Sequence, residues 1–467
     1  MKQSNFIYCL VLYPIAVILL FYYSSGYLST NSNLFTTYPQ QIHLSFGHNK
    51  KHSTSVFLTF SVKKKTTCTL EVDDETAIYN KDLVPKELKK DFNSNYIYKF
   101  EIKNLKYNAK YKYGIQCGSK EDVYRFSRSF FTNPGLKDNV NLLVLGDWST
   151  APVGDPGKIQ HTQFPKPNVL GALQEESNFT SIWHLGDIAY DLQSESGLRG
   201  DNYLNEIEIV TDHVPYMLVP GNHETSDSYK QYRARFNMPG PAQSNGLYYS
   251  YDIGRAHVVV INTEFRNNYK KEKELEFNKS MFYKQLNWLK KDLEKHKQNR
   301  EARPWLVVMG HKPMYCSTNK HSYMIQRVCE LQAPNIRETY EDLFLDYKVD
   351  LFFFGHLHLY ERSYPIGKNY KVYKEESEFY RKPKGPIHVI NGVAGNIESK
   401  HVPFNVTDTP LKSTYMISEP LGYGILSIVN KTHLNYKQIA FGESQFDPAD
   451  SDLWPTRRVI DDFWIIK

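Results

Sequence analysis

The chain has 467 residues, more than one ordinary domain holds, and 41% of them are hydrophobic, enough for more than one core and too many for an intrinsically disordered protein. Net charge is only +6, set by 57 basic against 51 acidic residues. No aromatic-basic groove pattern accompanies lysine runs such as Lys63-Lys64-Lys65 and Lys270-Lys271, so they read as solvated faces and no nucleic-acid partner is expected.

In chain order, Phe6 to Tyr23 is almost wholly apolar, follows Lys2 and precedes the small residues Ser24-Ser25-Gly26, the pattern of a signal peptide over residues 1–26. The stretch just reaches the length of an uncleaved anchor, with Pro14 interrupting it, so a type II membrane-anchored protein is the alternative. In both cases Lys2 stays on the cytosolic side, and the remainder is expected to be secreted or lumenal, whether extracellular, lysosomal or vacuolar. Candidate N-glycosylation sequons at Asn178, Asn278, Asn405 and Asn430 agree with that compartment. With Cys9 in the leader, Cys68, Cys117, Cys316 and Cys329 remain, and four cysteines allow about three pairings. An oxidising compartment favours Cys68 with Cys117 and Cys316 with Cys329, against the alternative of free buried thiols.

From Tyr38 to Asn133, alternating runs at Val56–Phe60, Cys68–Val72 and Tyr111–Ile115 predict an antiparallel sandwich, and Pro134-Gly135 marks its end. From Val140 onward strands alternate with helices, one of which starts near Ser280 with Phe282, Leu286, Leu289 and Leu293 on its core face. Gln193 to Gly200, rich in Ser and Gly, is expected to form a loop able to lie over a site.

Five apolar runs in this second region each end in glycine plus a polar residue: Gly146-Asp147, Gly186-Asp187, Gly221-Asn222, Gly310-His311 and Gly355-His356. The runs are short, continuous and rich in Val, Leu and Phe, as doubly covered strands are. Ligand sites of open α/β sheets form outside the carboxyl ends of such strands, and glycine there permits the sharp turn that aims the next side chain into a shared cavity. Asp147, Asp187 and Tyr190 offer oxygen, whereas Asn222, His311 and His356 offer a carbonyl and two imidazoles. Hard oxygen donors favour a trivalent iron, and the second set suits divalent zinc, iron or manganese. Asp187 sits beside both sets and can bridge them. His358, two residues beyond His356, can reach the other ion. Tyr190 ionises near pH ~10, so it ligates only where a strongly acidic cation displaces its proton.

These segments, together with Gly221-Asn222-His223-Glu224, Gly310-His311-Lys312-Pro313 and Gly355-His356-Leu357-His358-Leu359-Tyr360-Glu361-Arg362, resemble the purple acid phosphatases. Pro39 to Gly47 is similar to the start of that family's fibronectin-like domain, and Gly422-Tyr423-Gly424, Thr432-His433-Leu434 and Asp462-Phe463-Trp464-Ile465 resemble its C-terminal segment. Within the family the likeness is to the long animal-type group, acid phosphatase type 7, whose GHxPMYC pattern matches Gly310 to Cys316.

The resemblance implies a fibronectin type III-like sandwich over residues 36–133. It implies an α/β sandwich metallophosphoesterase domain, two mixed sheets flanked by helices, over residues 138–467 with a C-terminal segment 385–467. It implies that Asp147, Asp187, Tyr190 and His358 bind Fe(III) and that Asp187, Asn222, His311 and His356 bind the divalent ion. The implied reaction is hydrolysis of small phosphate monoesters, with a metal-held hydroxide as nucleophile, an acid pH optimum and His223 assisting departure of the alcohol. His321, the second candidate catalytic histidine, lies where long relatives carry paired histidines, but Lys320 replaces the first of the pair, which keeps attraction for phosphate and removes a titrating group. Glu224 is expected to orient neighbours, and His184 to pack behind the ligands. Hydrolysis of nucleotides or phosphodiesters at the same metals, or a non-catalytic extracellular binding role, are the alternatives.

Overall fold

The computed structural model describes residues 36–79, 82–83, 95–118, 123–149, 179–266, 272–317, 322–374, 378–396, 398, 414–418, 421–441 and 457–467. The leader, Asn178, Asn405, Lys320 and His321 lie outside the described residues.

Two small antiparallel sheets form first. Strands β1 (Gln40–Phe46), β2 (Thr54–Val62) and β5 (Tyr96–Leu105) make one, and β4 (Asp82–Leu83), β3 (Cys68–Val72), β6 (Lys110–Gly118) and β7 (Val123–Phe131) the other. Their inward residues, among them Leu44, Leu58, Phe60, Leu70, Tyr98 and Ile115, share one buried cluster, which is why alternation was legible there. Cys68 faces Cys117 across the β3–β6 ladder, and the two are disulfide-bonded.

Beyond Gly135, whose φ of 69° turns the chain, two seven-stranded mixed sheets pack face to face. The first runs β10 (Tyr216–Leu218), β9 (Ser181–His184), β8 (Val140–Leu145), β21 (Gly422–Ile428), β22 (His433–Phe441), β23 (Arg457–Ile466) and β18 (Phe379–Arg381). The second runs β11 (Tyr249–Ile253), β12 (Ala256–Val260), β13 (Trp305–Met309), β14 (Leu351–Phe354), β19 (Ile387–Asn391), β15 (Tyr360–Ser363) and β20 (Thr414–Ser418), with the small hairpin β16 (Ile366–Gly367) and β17 (Lys371–Val372) beside it. Leu143, Leu145, Trp183, Val258, Val307, Phe353 and Tyr436 belong to the largest core cluster, which joins residues of both sheets.

Helices α1 (Leu198–Thr211), α2 (Ser226–Arg235), α3 (Glu272–Gln298), α4 (Tyr323–Arg327) and α5 (Ala333–Asp346) complete the domain. Among the described residues no helix is long and apolar enough to cross a membrane. Helix α3 begins eight residues before Ser280 and buries Leu289 and Leu293 completely, with Phe282 and Leu286 partly buried. The segment expected to be a loop over the site is instead a short turn, Ser194–Gly197, running into α1. Its Arg199 donates to the Tyr190 carbonyl at 2.9 Å, an anchor that composition alone did not reveal. The sandwich is seated on the catalytic sheets: Glu208 of α1 accepts the Gln41 amide at 2.7 Å, His43 Nε2 meets the Arg235 carbonyl at 3.0 Å, and Arg128 pairs with Asp212 at 2.6 Å.

Candidate metal centre

Each of the five glycine-terminated runs is a strand, and each glycine stands at its carboxyl end. The strands do not belong to one sheet. β8, β9 and β10 are parallel neighbours in the first sheet, and β13 and β14 are parallel neighbours in the second, so the candidate ligands project from two facing sheet edges. Asp147, Asp187, Tyr190 and His356 all adopt left-handed backbone, with φ of 59°, 55°, 50° and 70°. Such conformations cost free energy in non-glycine residues and persist only where surrounding structure enforces them. Gly186, at φ 91°, could carry no side chain: a Cβ there would lie 2.5 Å from His311 Nδ1.

Two donor groups stand side by side. On one side, His311 Nε2 lies 3.0 Å from Asp187 Oδ2 and 3.2 Å from Asn222 Oδ1, and Asp187, His311 and His356 present ligand atoms all within 4.8 Å of one another. On the other, the Tyr190 hydroxyl lies 3.2 Å from Asp147 Oδ1 and 2.6 Å from His358 Nε2. The His356 amide donates to Asp147 Oδ2 at 2.8 Å, tying the two halves together.

The electrostatics fit a bound cation. His311 Nδ1 donates to the Leu185 carbonyl at 2.8 Å, which directs Nε2 at Asp187. Burial works against a charge on His311, but Asp187 and Asp147 push its pKa up to about 9, so a proton occupies Nε2 where a cation would displace it. Burial likewise opposes the charge on Asp187, yet the His311 and His223 imidazoles hold it far below the usual carboxylate range. His356 is buried, its pKa is driven well below the usual histidine value by burial and by Lys312, and its Nδ1 has no hydrogen-bond partner among the described residues. A neutral, orphaned imidazole nitrogen among carboxylates is what a divalent ion with nitrogen and oxygen ligands satisfies. Burial and the Asp147 charge raise the Tyr190 pKa well above the usual value, so the phenolate requires an acidic cation.

His223 stands beside this cluster, its ring 4.5 Å from that of Tyr190. Its amide donates to Asp187 Oδ1 at 3.0 Å, Nδ1 meets Asp191 Oδ1 at 3.0 Å, and Nε2 lies 3.8 Å from Asp187 Oδ2 and 3.6 Å from Glu398. Burial pulls its pKa down, but Asp187, Asp191 and Glu398 prevail and push it up to about 12. Asp191 and Glu398 were missed in the sequence. Asp191 directly follows Tyr190, but only its φ of 80° turns its carboxylate onto His223.

Glu224 is buried and accepts three main-chain amides, from Gly221 at 2.8 Å, Asp187 at 3.0 Å and Ile188 at 2.8 Å, so it laces two ligand turns together as expected. Burial and Asp187 raise its pKa to about 8. His184 packs behind the ligands against the Tyr216 and Tyr203 hydroxyls, and burial lowers its pKa to about 3. Cys316 and Cys329 are disulfide-bonded, and Glu361 of β15 accepts the next residue's amide and hydroxyl, Ser317, at 3.0 and 2.6 Å. Of the sequons, Asn430 is partly exposed, with Oδ1 accepting from Thr432. Asn278 is 2% exposed inside α3 and donates to the Glu274 carbonyl.

A family model described as calcineurin-like phosphoesterase matches residues 140–360, and one described as iron/zinc purple acid phosphatase-like protein C matches residues 385–446. Acid phosphatase type 7 from Mus musculus is 34% identical over 382 residues, covering 80% of this chain and 77% of the relative. Acid phosphatase type 7 from Danio rerio is 33% identical over 430 residues, covering 86% and 88%. A purple acid phosphatase from Glycine max is 26% identical, covering 79% and 74%. Among solved structures, a purple acid phosphatase from yellow lupin (Lupinus luteus) seeds superposes with a TM-score of 0.70 at 19% identity, covering 93% of this chain and 75% of the other. PhoD superposes with a TM-score of 0.61 at 14% identity, covering 93% and 91%. The donor geometry at two facing sheet edges, both family matches and relatives more than 30% identical over most of their length agree: the chain belongs to the purple acid phosphatase family of metallophosphoesterases and is a phosphatase.

Proposed function

We propose that this phosphatase hydrolyses small phosphate monoesters at acidic pH through a binuclear centre of Fe(III) and a divalent zinc, iron or manganese ion. The observation that carries the reading is that two chemically distinct donor sets stand side by side, Asp187 with His311 and His356, and Tyr190 with Asp147 and His358, linked by the His356 amide on Asp147. Asp147, Asp187, Tyr190 and His358 would hold the ferric ion, and Asp187, Asn222, His311 and His356 the divalent one. When bound, such a pair polarises the phosphoryl oxygens and acidifies an attacking water.

The chain's own groups supply the rest. Asp191 fixes the His223 ring by accepting from Nδ1, which leaves Nε2 on the ligand side at 3.8 Å from Asp187. As the P–O bond to the alcohol breaks, the Nε2 proton passes to the departing oxygen, and the clustered carboxylates keep that nitrogen protonated beforehand. His321 is assigned a phosphate-binding role from its place after His311, with Lys320 adding positive charge. The antiparallel sandwich of residues 36–133 serves as a fibronectin type III-like module, supported by its two sheets and shared core. A lumenal or extracellular setting is supported by the two disulfides.

The test combines visible absorbance with p-nitrophenyl phosphate hydrolysis at acidic pH on one purified sample, alongside Tyr190→Phe. A purple tyrosinate band lost in Tyr190→Phe, with activity in the unmutated protein, is the expected result. A colourless, metal-loaded and active protein removes the ferric assignment and keeps the phosphatase. Faster turnover of phosphodiesters or nucleotides than of monoesters overturns the substrate class.

A further inference from the structure

The outward face of α3 carries Lys279, Lys284, Lys290, Lys291, Lys295 and Lys297, all exposed. The inward face is occupied: Met281, Gln285, Leu289, Leu293 and His296 are buried. Lysines at these spacings fall on the solvent half of the helix, and from first to last they span about 27 Å at the α-helical rise. Glu276 and Glu294 are exposed on the same helix, and Glu294 is engaged by the Tyr347 hydroxyl at 2.9 Å and by Lys297 at 4.0 Å. Lys279, Lys284, Lys290, Lys291 and Lys295 pair with no carboxylate among the described residues. Exposed Tyr283 stands between the first two of them.

We infer that this face is a docking surface for a linear polyanion, a sulfated polysaccharide chain of the extracellular or lumenal space. The lysines are spread along the length of one helix, so the face fits an extended partner that presents charge along its length. Its cations are all lysines, hydrated point charges suited to diffuse attraction through counterion release, where arginines would suit bidentate readout of individual phosphates. The apolar side of the helix is committed to the core, so the helix cannot lay that side into a bilayer. One tyrosine on an open face makes no stacking groove for nucleic-acid bases. The inference does not depend on the metal chemistry or on the substrate proposed above.

The test uses the full chain on immobilised heparin across a salt series. Variants are Lys284→Ser/Lys291→Ser/Lys295→Ser and, as a control of equal net charge, Lys63→Ser/Lys64→Ser/Lys65→Ser in the exposed turn after β2. The unmutated protein is expected to bind, the α3 variant to lose about tenfold or more in affinity with a shallower salt dependence, and the control to retain binding. Hydrolysis of p-nitrophenyl phosphate should match the unmutated protein in both, which shows that each is folded. Equal losses in the two variants, or no retention of the unmutated protein, overturn the inference. So does tighter binding, at the same salt, to phosphatidylserine vesicles or to duplex DNA than to heparin.

Discussion

At the scale of single residues, Glu224 shows how much of the site rests on groups that touch no ligand. Its carboxylate takes amides from Gly221, Asp187 and Ile188, so it sets the distance between the turns that present Asp187 and Asn222. In Glu224→Gln one oxygen becomes an NH2 facing amide donors. The expected cost is about 2 kcal/mol of stability in denaturant titrations, and metal content after dialysis should fall on the order of tenfold or more. Unchanged metal retention would show that the turns hold their spacing without it. Its neighbour His223 illustrates the converse: the sequence named the histidine, but the carboxylates that clamp it became visible only in the folded chain, Asp191 through its left-handed backbone and Glu398 through tertiary contact.

At the scale of elements, the stretch after β13 is pinned twice before residue 318. The Cys316–Cys329 disulfide closes a separation of 13 residues, and Glu361 grips Ser317 from β15, three residues beyond His358. Replacing both cysteines by serine is expected to cost about 3 kcal/mol, read as a lower denaturant midpoint, while Glu361 still holds the segment and activity survives. A complete loss of turnover at unchanged metal content would show that the bridge alone positions it. Strand β23 makes the second case. Its Asp461 accepts from buried Arg362 at 2.6 and 2.7 Å, and that guanidinium lies 4.5 Å from the Phe463 ring. Asp461→Asn leaves a buried cation without its charge partner and should destabilise by about 3–5 kcal/mol. A loss below about 1 kcal/mol would mean that Tyr380 and the ring faces suffice. The likeness of residues 462–465 to a family segment was legible in the sequence, whereas the reason to keep it, a buried pair reaching the strand after His358, was not.

At the scale of the whole molecule, the seat between the sandwich and α1 holds two titrating groups with opposite trends, the half-buried Glu208 and the buried His43. Burial raises the Glu208 pKa to about 7, with Asp212 adding to the rise and Arg128 opposing it. The folded state therefore binds the proton more tightly than the unfolded one, and this contribution is present at low pH and lost as pH rises from about 4.5 through about 7. Burial lowers the His43 pKa to about 4, with Lys99 and Arg235 nearby, so its contribution is absent at low pH and gained as pH rises from about 4 to about 6.5. The two trends offset one another in mildly acid solution. Glu208→Gln removes the falling limb, so the stability of that variant relative to the unmutated protein should rise between about pH 4.5 and 7, in urea titrations at matched ionic strength. Parallel profiles for the two proteins would exclude this linkage.

What the sequence determined by itself follows from local chemistry. Doubly covered strands must be continuous apolar runs, glycine must follow them where chain and ligand crowd together, and few side chains bind metal, so the strands and all seven candidate ligands could be named from residue type and spacing. The alternating runs of the sandwich and both cysteine pairings were likewise readable. Tertiary structure alone decided that the ligands come from two facing sheets, because sheet membership depends on hydrogen-bonded pairing between strands far apart in the chain. It also decided that Gln193 to Gly200 is the start of a helix braced on Tyr190, that Asn278 is buried, and that two carboxylates clamp His223. These are outcomes of packing and of enforced left-handed backbone, which no local pattern encodes.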